Sequence, residues 1–270
     1  MIFNAGKLIR RAYIMLILAM LTCIGCQWQL KPGDADLDNH QLRIERYDRI
    51  ESLYLTTGDY SALQQMNTAY PIETRMLLED VLRIGKVNDP DINRKFLHFF
   101  QDSTLQVLIS AVQEQFSDID DINSQLAHAF QRMKEELPAL DIPRVYAQIG
   151  SFDQSIIVGR SSLGISLDKY LGADYPFYQE HYPERERSMM VRSMIVPDCL
   201  GFYLLSVYPL EHPHIMSQGQ RDMHIGKIQW VVNQLLDKDI FDNDHVTAVE
   251  EYMKKHKQLT YDQLLVQGNI

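Results

Sequence analysis

The N-terminal sequence limits most strongly what kind of protein this chain can be, because it is typical of an export signal that ends at a cysteine. Lys7, Arg10 and Arg11 precede an apolar run over residues 12–23, and a glycine and Cys26 follow that run. This order is typical of a bacterial lipoprotein signal, in which a peptidase cuts before the cysteine and the thiol carries the lipid. The run of roughly a dozen residues is too short to span a hydrocarbon core of about 30 Å.

The sequence therefore predicts three parts: a signal peptide over residues 1–25, a tether over residues 26–38 and a single domain over residues 39–270. Acyl chains on Cys26 would attach the mature chain to a membrane, whereas an uncleaved signal that acts as the anchor is the alternative. Cys199 would then be the remaining free cysteine. No intramolecular disulfide could form, so the domain must be stabilised by packing, which its size allows.

The charge of the predicted mature chain argues against nucleic acid as a partner. The full sequence has a formal net charge of −10, and removing residues 1–25 takes away three basic and no acidic residues, which gives −13. An acidic surface repels phosphate backbones and anionic lipid headgroups. We therefore expect no nucleic-acid partner, and we expect acyl chains rather than surface charge to hold the protein at a membrane.

Apolar periodicity predicts an α+β domain whose N-terminal half is helical. Apolar residues recur at helical spacing over residues 42–137, which predicts a helical array. The period then shortens, and residues 144–149, 155–158 and 163–167 are typical of β-strands bounded by turn residues. These three short strands predict a small antiparallel or mixed sheet after the helices.

The second half of the domain is expected to hold an irregular segment and two long helices. Residues 170–187 combine four tyrosines with prolines and charges, which indicates a loop whose rings cover the edge of the core. Helical spacing of apolar residues predicts helices at residues 193–208 and 218–236. Cys199 lies in an apolar stretch of the first helix, which predicts a buried and inert thiol.

Four short stretches carry a resemblance to a known family. They are Ile-Gly-Ser-Phe-Asp-Gln-Ser-Ile-Ile-Val (149–158), Leu-Gly-Ile-Ser-Leu-Asp-Lys-Tyr-Leu-Gly (163–172), Met-Ile-Val-Pro-Asp (194–198) and Ile-Gly-Lys-Ile-Gln-Trp (225–230). With these stretches and its signal, the chain resembles the GldB gliding-motility lipoproteins of the Bacteroidetes over most of residues 40–236. Residues 240–270 do not match that family's tail.

This resemblance implies a lipid-anchored component of the cell envelope. Gln27 is not a retention aspartate and residues 28–30 are not acidic, which indicates attachment to the outer membrane on its periplasmic side. The resemblance also implies a binding or structural role in gliding motility or in the secretion machinery linked to it. The expected partners are the membrane, through the acyl chains on Cys26, and an envelope protein that the sequence does not identify.

The GldB family is similar in turn to zincin metallopeptidases, so the resemblance implies a zincin-like fold. Zincins bind zinc through two histidines of an H-E-x-x-H helix and a third ligand from a later helix, while the Glu activates water. The corresponding stretch here is Pro197-Asp198-Cys199-Leu200-Gly201, and Ile225 stands at the third-ligand position. Because H-E-x-x-H is absent from the chain, we expect no catalytic residue, no metal and no cofactor.

Two further interpretations concern other parts of the sequence. Glu211, His212 and His214, with His224 nearby, could bind a metal in a hydrolase or peptidase of a different kind, although loose spacing and neighbouring prolines favour a solvated loop. The strand at residues 163–167 could form an exposed sheet edge, to which an extended peptide would add as a further strand.

Overall fold

A computed structural model describes residues 42–268, so the predicted signal peptide, the predicted tether and Cys26 lie outside the described residues. In the part that is described, the chain consists of α-helices and one three-stranded sheet, and the predicted α+β class is confirmed. None of the helices between residues 42 and 268 has both the length and the apolarity of a membrane span.

The N-terminal half is a helical array, which confirms the prediction for residues 42–137. Its α-helices are α1 (Tyr47–Thr57), α2 (Tyr60–Ala69), α3 (Pro71–Met76), α4 (Ile92–Phe99), α5 (Ser103–Gln115) and α6 (Asp120–Glu136). Helix α3 continues as a π-helical turn over Leu77–Val81. Side-chain caps begin two of the helices, because Asp59 and Asp102 accept hydrogen bonds from the first free backbone N–H groups of α2 and α5.

The sheet consists of β1 (Arg144–Gln148), β2 (Ile156–Val158) and β3 (Ser162–Ser166), and each bound lies within one residue of the predicted one. Strand β3 is parallel to β1 and antiparallel to β2, so the sheet is mixed. Gly164 of β3 lies against Tyr146 of β1, where a Cβ atom would be 2.6 Å from the tyrosine ring. Glycine at this position therefore leaves the space that the Tyr146 ring occupies across β3.

The position of β3 shows that the prediction of a free sheet edge at residues 163–167 is wrong. The strand order is β1-β3-β2, so β3 is paired on both sides, and all of its residues are buried. The reason lies in the connections: β2 and β3 form an antiparallel pair, and β3 then aligns in parallel with β1. The last strand in sequence is thus the central strand in space, and no peptide can add to it.

The C-terminal half contains short helices followed by the two predicted long ones. Its α-helices are α7 (Pro176–His181), α8 (Glu184–Arg187), α9 (Ile195–Val207), α10 (Gln218–Leu236), α11 (Asp244–Lys255) and α12 (Tyr261–Val266). Helices α7 and α8 form where the sequence predicted an irregular segment, so that prediction is wrong in part. A proline stands at or just before the start of each, where the helical N–H groups have no intrahelical partner and proline is tolerated.

The aromatic residues of this segment pack into the domain, as predicted. Tyr170 and Tyr178 are almost fully buried. Phe177 stacks on Phe152 of the loop between β1 and β2, with 4.0 Å between the ring centroids. These rings therefore join α7 to the end of the sheet.

A buried carboxylate fixes the loop between β1 and β2. Asp168 lies in a 3-10 turn directly after β3 and accepts hydrogen bonds from the backbone N–H groups of Gly150 and Phe152, both at 2.6 Å. Ser151 and Phe152 have φ angles of 56° and 65°, a left-handed conformation that strains residues with a Cβ atom. The carboxylate therefore holds two consecutive strained residues in place.

Helix α10 connects the core to the end of the chain, because it packs against α9, α11 and α12. Lys227 of α10 is fully buried and donates hydrogen bonds to the backbone carbonyl oxygens of Gln267 and Gly268, just after α12. Gly226 leaves room for α11, since a Cβ atom there would lie 2.5 Å from the Cβ atom of His245. The last two helices are thus fixed to α10 by one polar anchor and one close approach.

Candidate functional site

A pocket of about 130 Å³ lies between α9 and α10. Its walls include Pro197, Gly201, Phe202 and Leu205 from α9, and Ile225 and Ile228 from α10. Helix α9 is apolar around almost its whole circumference, which is typical of a buried helix. One face of α9 nevertheless opens into the pocket, and the Phe202 side chain on that face is 41% exposed.

The pocket brings together the positions at which the sequence resemblance places the metal ligands of a peptidase. Pro197, Asp198 and Gly201 correspond to the H-E-x-x-H positions and Ile225 to the third ligand, and all four line this pocket. Only Asp198 carries a group that can bind a metal ion. A zinc site needs three or four nitrogen, sulfur or carboxylate ligands, so these residues do not form one.

Asp198 is the one ionisable residue among the described residues that line the pocket. Its Oδ2 atom accepts a hydrogen bond of 2.7 Å from the Tyr170 hydroxyl, and Tyr170 is itself 1% exposed. Burial raises the pKa of Asp198 to about 6, although the hydrogen bond from Tyr170 acts in the opposite direction. The arrangement is a partly buried carboxylate with one fixed oxygen, set in an apolar wall.

Cys199, next to this carboxylate, is fully buried and forms no disulfide within residues 42–268. Burial, and to a smaller extent the charge of Asp198, raises the pKa of the Cys199 thiol far above its ordinary value. The thiol therefore stays protonated at neutral pH, and a thiol is a poor nucleophile. The prediction that Cys199 is buried is confirmed, and the raised pKa supports the prediction that its thiol is inert.

The histidines considered as an alternative metal site are not brought together. Glu211, His212 and His214 are exposed in the connection between α9 and α10. His224 is buried on α10, and its Nε2 atom lies 2.8 Å from the carbonyl oxygen of Tyr208. Among residues 42–268, no group of three or more His, Cys, Asp or Glu side chains has the proximity that a metal ion requires.

The environment of Asp198 leads to a prediction about stability. Replacing Asp198 by asparagine keeps an acceptor for Tyr170 and removes a charge from an apolar wall. We expect the free energy of unfolding at pH 7.5 to rise by about 1–2 kcal/mol, because a shift of one pKa unit corresponds to about 1.4 kcal/mol and partial exposure reduces the effect.

The pH dependence of this gain follows from the raised pKa. The native state of the wild-type protein favours protonated Asp198, so this stabilisation is present below the ordinary pKa of 3.8 and is lost as the pH rises through about 6. The difference between the variant and the wild type should therefore be small at pH 4 and reach its maximum above pH 6. Urea unfolding at several pH values measures it, and a difference that is independent of pH would contradict the prediction.

Comparison with known proteins identifies the family to which the chain belongs. A family model described as gliding motility protein GldB matches residues 31–241, which is most of the chain. The match includes the sheet, α9 and α10, and it ends before α11 and α12. No curated protein and no solved structure matches the chain. The chain belongs to the GldB family of gliding motility proteins.

Proposed function

We propose that the protein is a lipid-anchored, non-catalytic component of the cell envelope that serves gliding motility or the secretion machinery linked to it. One observation carries the non-catalytic part of this proposal: the pocket between α9 and α10 contains Pro197, Gly201 and Ile225 where a metallopeptidase would contain metal ligands. The family match supports the assignment to gliding motility. The pocket then serves for binding rather than for hydrolysis.

The anchor in this proposal is a set of acyl chains on Cys26, attached to the outer membrane on its periplasmic side. The lipoprotein signal in the sequence and the membership of the GldB family support it. The domain would then act on an envelope protein within reach of the tether.

The zincin-like relationship is also part of the proposal. It is supported by a helix that follows a small mixed sheet, by a second helix packed against it, and by the convergence of Pro197, Asp198, Gly201 and Ile225 on one pocket. If α9 and α10 correspond to the metal-binding helices of a zincin, replacing these residues by His, Glu, His and Glu respectively should create a zinc site.

We expect this quadruple variant to bind one zinc ion per chain in a titration with a chromophoric zinc chelator. The matched control carries the same changes except that the second histidine replaces Leu205 instead of Gly201, which breaks the four-residue spacing. Circular dichroism verifies that both variants fold. Equal zinc binding by the two folded variants would contradict the zincin-like correspondence.

The functional proposal is tested by deletion and complementation in the organism that encodes the protein. Deletion should abolish colony spreading and lower the secretion that depends on the gliding machinery. A double variant, His212→Ala with His214→Ala, should restore both, because the proposal gives these histidines no catalytic role. A deletion strain that spreads and secretes normally would overturn the assignment to gliding motility.

A further inference from the structure

The carboxylate in the α9–α10 pocket has no counter-charge within the described part of the chain. Asp198 takes part in none of the ion pairs between residues 42 and 268. The titratable groups that face it are the Tyr170 hydroxyl and the Cys199 thiol, and burial raises the pKa of both, so they are neutral. Helix α10 and the segment after it contribute Ile225, Gln229 and Phe241, which are uncharged.

One oxygen of this carboxylate is available to a ligand. Oδ2 is occupied by the Tyr170 hydroxyl. Oδ1 accepts no hydrogen bond within residues 42–268, and it does not belong to the solvent-inaccessible polar atoms that lack a partner. Since Asp198 lines the pocket and Oδ2 is already occupied, we infer that a ligand in the pocket reaches Oδ1.

The size of the pocket limits what can reach that oxygen. An apolar cavity of about 150 Å³ holds one benzene molecule. The pocket volume of about 130 Å³ thus corresponds to a slim chain of a few methylene groups. The Phe202 and Ile225 side chains, 41% and 37% exposed, form apolar contact surface that such a chain could cover.

We propose that this pocket binds a lysine side chain of an envelope partner, with the methylene groups against the apolar walls and the ammonium group paired with Asp198 Oδ1. A long basic side chain combines an apolar stem and a charged end, which is the combination that the pocket presents in complementary form. The negative charge of −13 on the predicted mature chain also favours a basic partner surface. The inference rests on the binding role proposed for the pocket and names the ligand.

The probe for this proposal is n-butylamine, which reproduces the lysine stem and its ammonium group. Binding to the full mature chain is measured by NMR, from the shifts of the Ile225 and Ile228 methyl groups at pH 7.5. Butanol and butyrate are matched probes with neutral and negative ends. We expect n-butylamine to bind at least tenfold more tightly than butanol, and butyrate to show no saturable shift.

A variant separates charge recognition from simple filling of the pocket. Asp198→Asn should lower the affinity for n-butylamine to that for butanol, because the variant has no negative charge to pair with the ammonium group. Equal binding of amine and alcohol by the wild type, or an amine preference that survives in the variant, would overturn the lysine assignment. Either result leaves the deletion phenotype untouched, so failure of this inference is distinguishable from failure of the proposed envelope role.

Discussion

Replacing Cys26 by serine is expected to move the protein from the membrane fraction to the soluble envelope fraction. A serine hydroxyl cannot form the thioether that carries the lipid, and stable membrane attachment requires more than one acyl chain. The predicted mature surface has a charge of −13, which gives no attraction to anionic lipids. Fractionation followed by immunoblotting, with mass spectrometry of the N-terminus, measures the effect.

The matched control for this variant is Cys199→Ser. Cys199 is fully buried in α9, so its replacement should leave the membrane fraction unchanged. The wild-type N-terminus should begin at an acylated Cys26. Membrane retention of the Cys26 variant with residue 1 intact would instead support an uncleaved membrane anchor.

Replacing Asp168 by alanine is expected to lower the free energy of unfolding by about 2–4 kcal/mol, because each buried group left without its hydrogen-bond partner costs about 1–3 kcal/mol. The change leaves the N–H groups of Gly150 and Phe152 without their acceptor. It also removes the group that holds Ser151 and Phe152 in the left-handed conformation. Urea denaturation at pH 7 measures the loss.

Two further variants at this loop distinguish the loss of a buried hydrogen-bond acceptor from the loss of a negative charge. Asp168→Asn keeps one acceptor oxygen and should be less destabilising than alanine. Asp153→Asn changes an exposed carboxylate whose ion pair with Arg83 is long, at 3.7 Å, and should alter stability by less than about 0.5 kcal/mol. An Asp168→Ala variant as stable as the Asp153 variant would contradict this account of the loop.

The sequence predicted those parts of the fold that depend on local patterns. Apolar residues at helical spacing predicted the array over residues 42–137 and both long helices. Short strand-like segments bounded by turn residues predicted β1, β2 and β3. Strand order is different, because it depends on which strand pairs with which across the sheet, and no local period carries that information. For this reason the sequence predicts an edge at residues 163–167, whereas the structure has the central strand at residues 162–166.

The candidate site was predicted in part. The resemblance located Pro197, Asp198, Gly201 and Ile225, and the structure places all four in one pocket. The hydrogen bond between Tyr170 and Asp198 was not predictable, because the two residues are 28 positions apart and belong to different elements. The aromatic content of the segment indicated burial of Tyr170, but no sequence signal indicated which carboxylate its hydroxyl contacts.

The metal content of the protein purified from native membranes tests the central claim, a binding pocket without metal-dependent catalysis, most directly. Elemental analysis of the intact, detergent-solubilised protein should give far less than one transition-metal ion per chain. The same result is expected after dialysis against zinc and removal of the excess. One ion per chain, lost when His212 and His214 are replaced by alanine, would contradict the account and establish a metal centre.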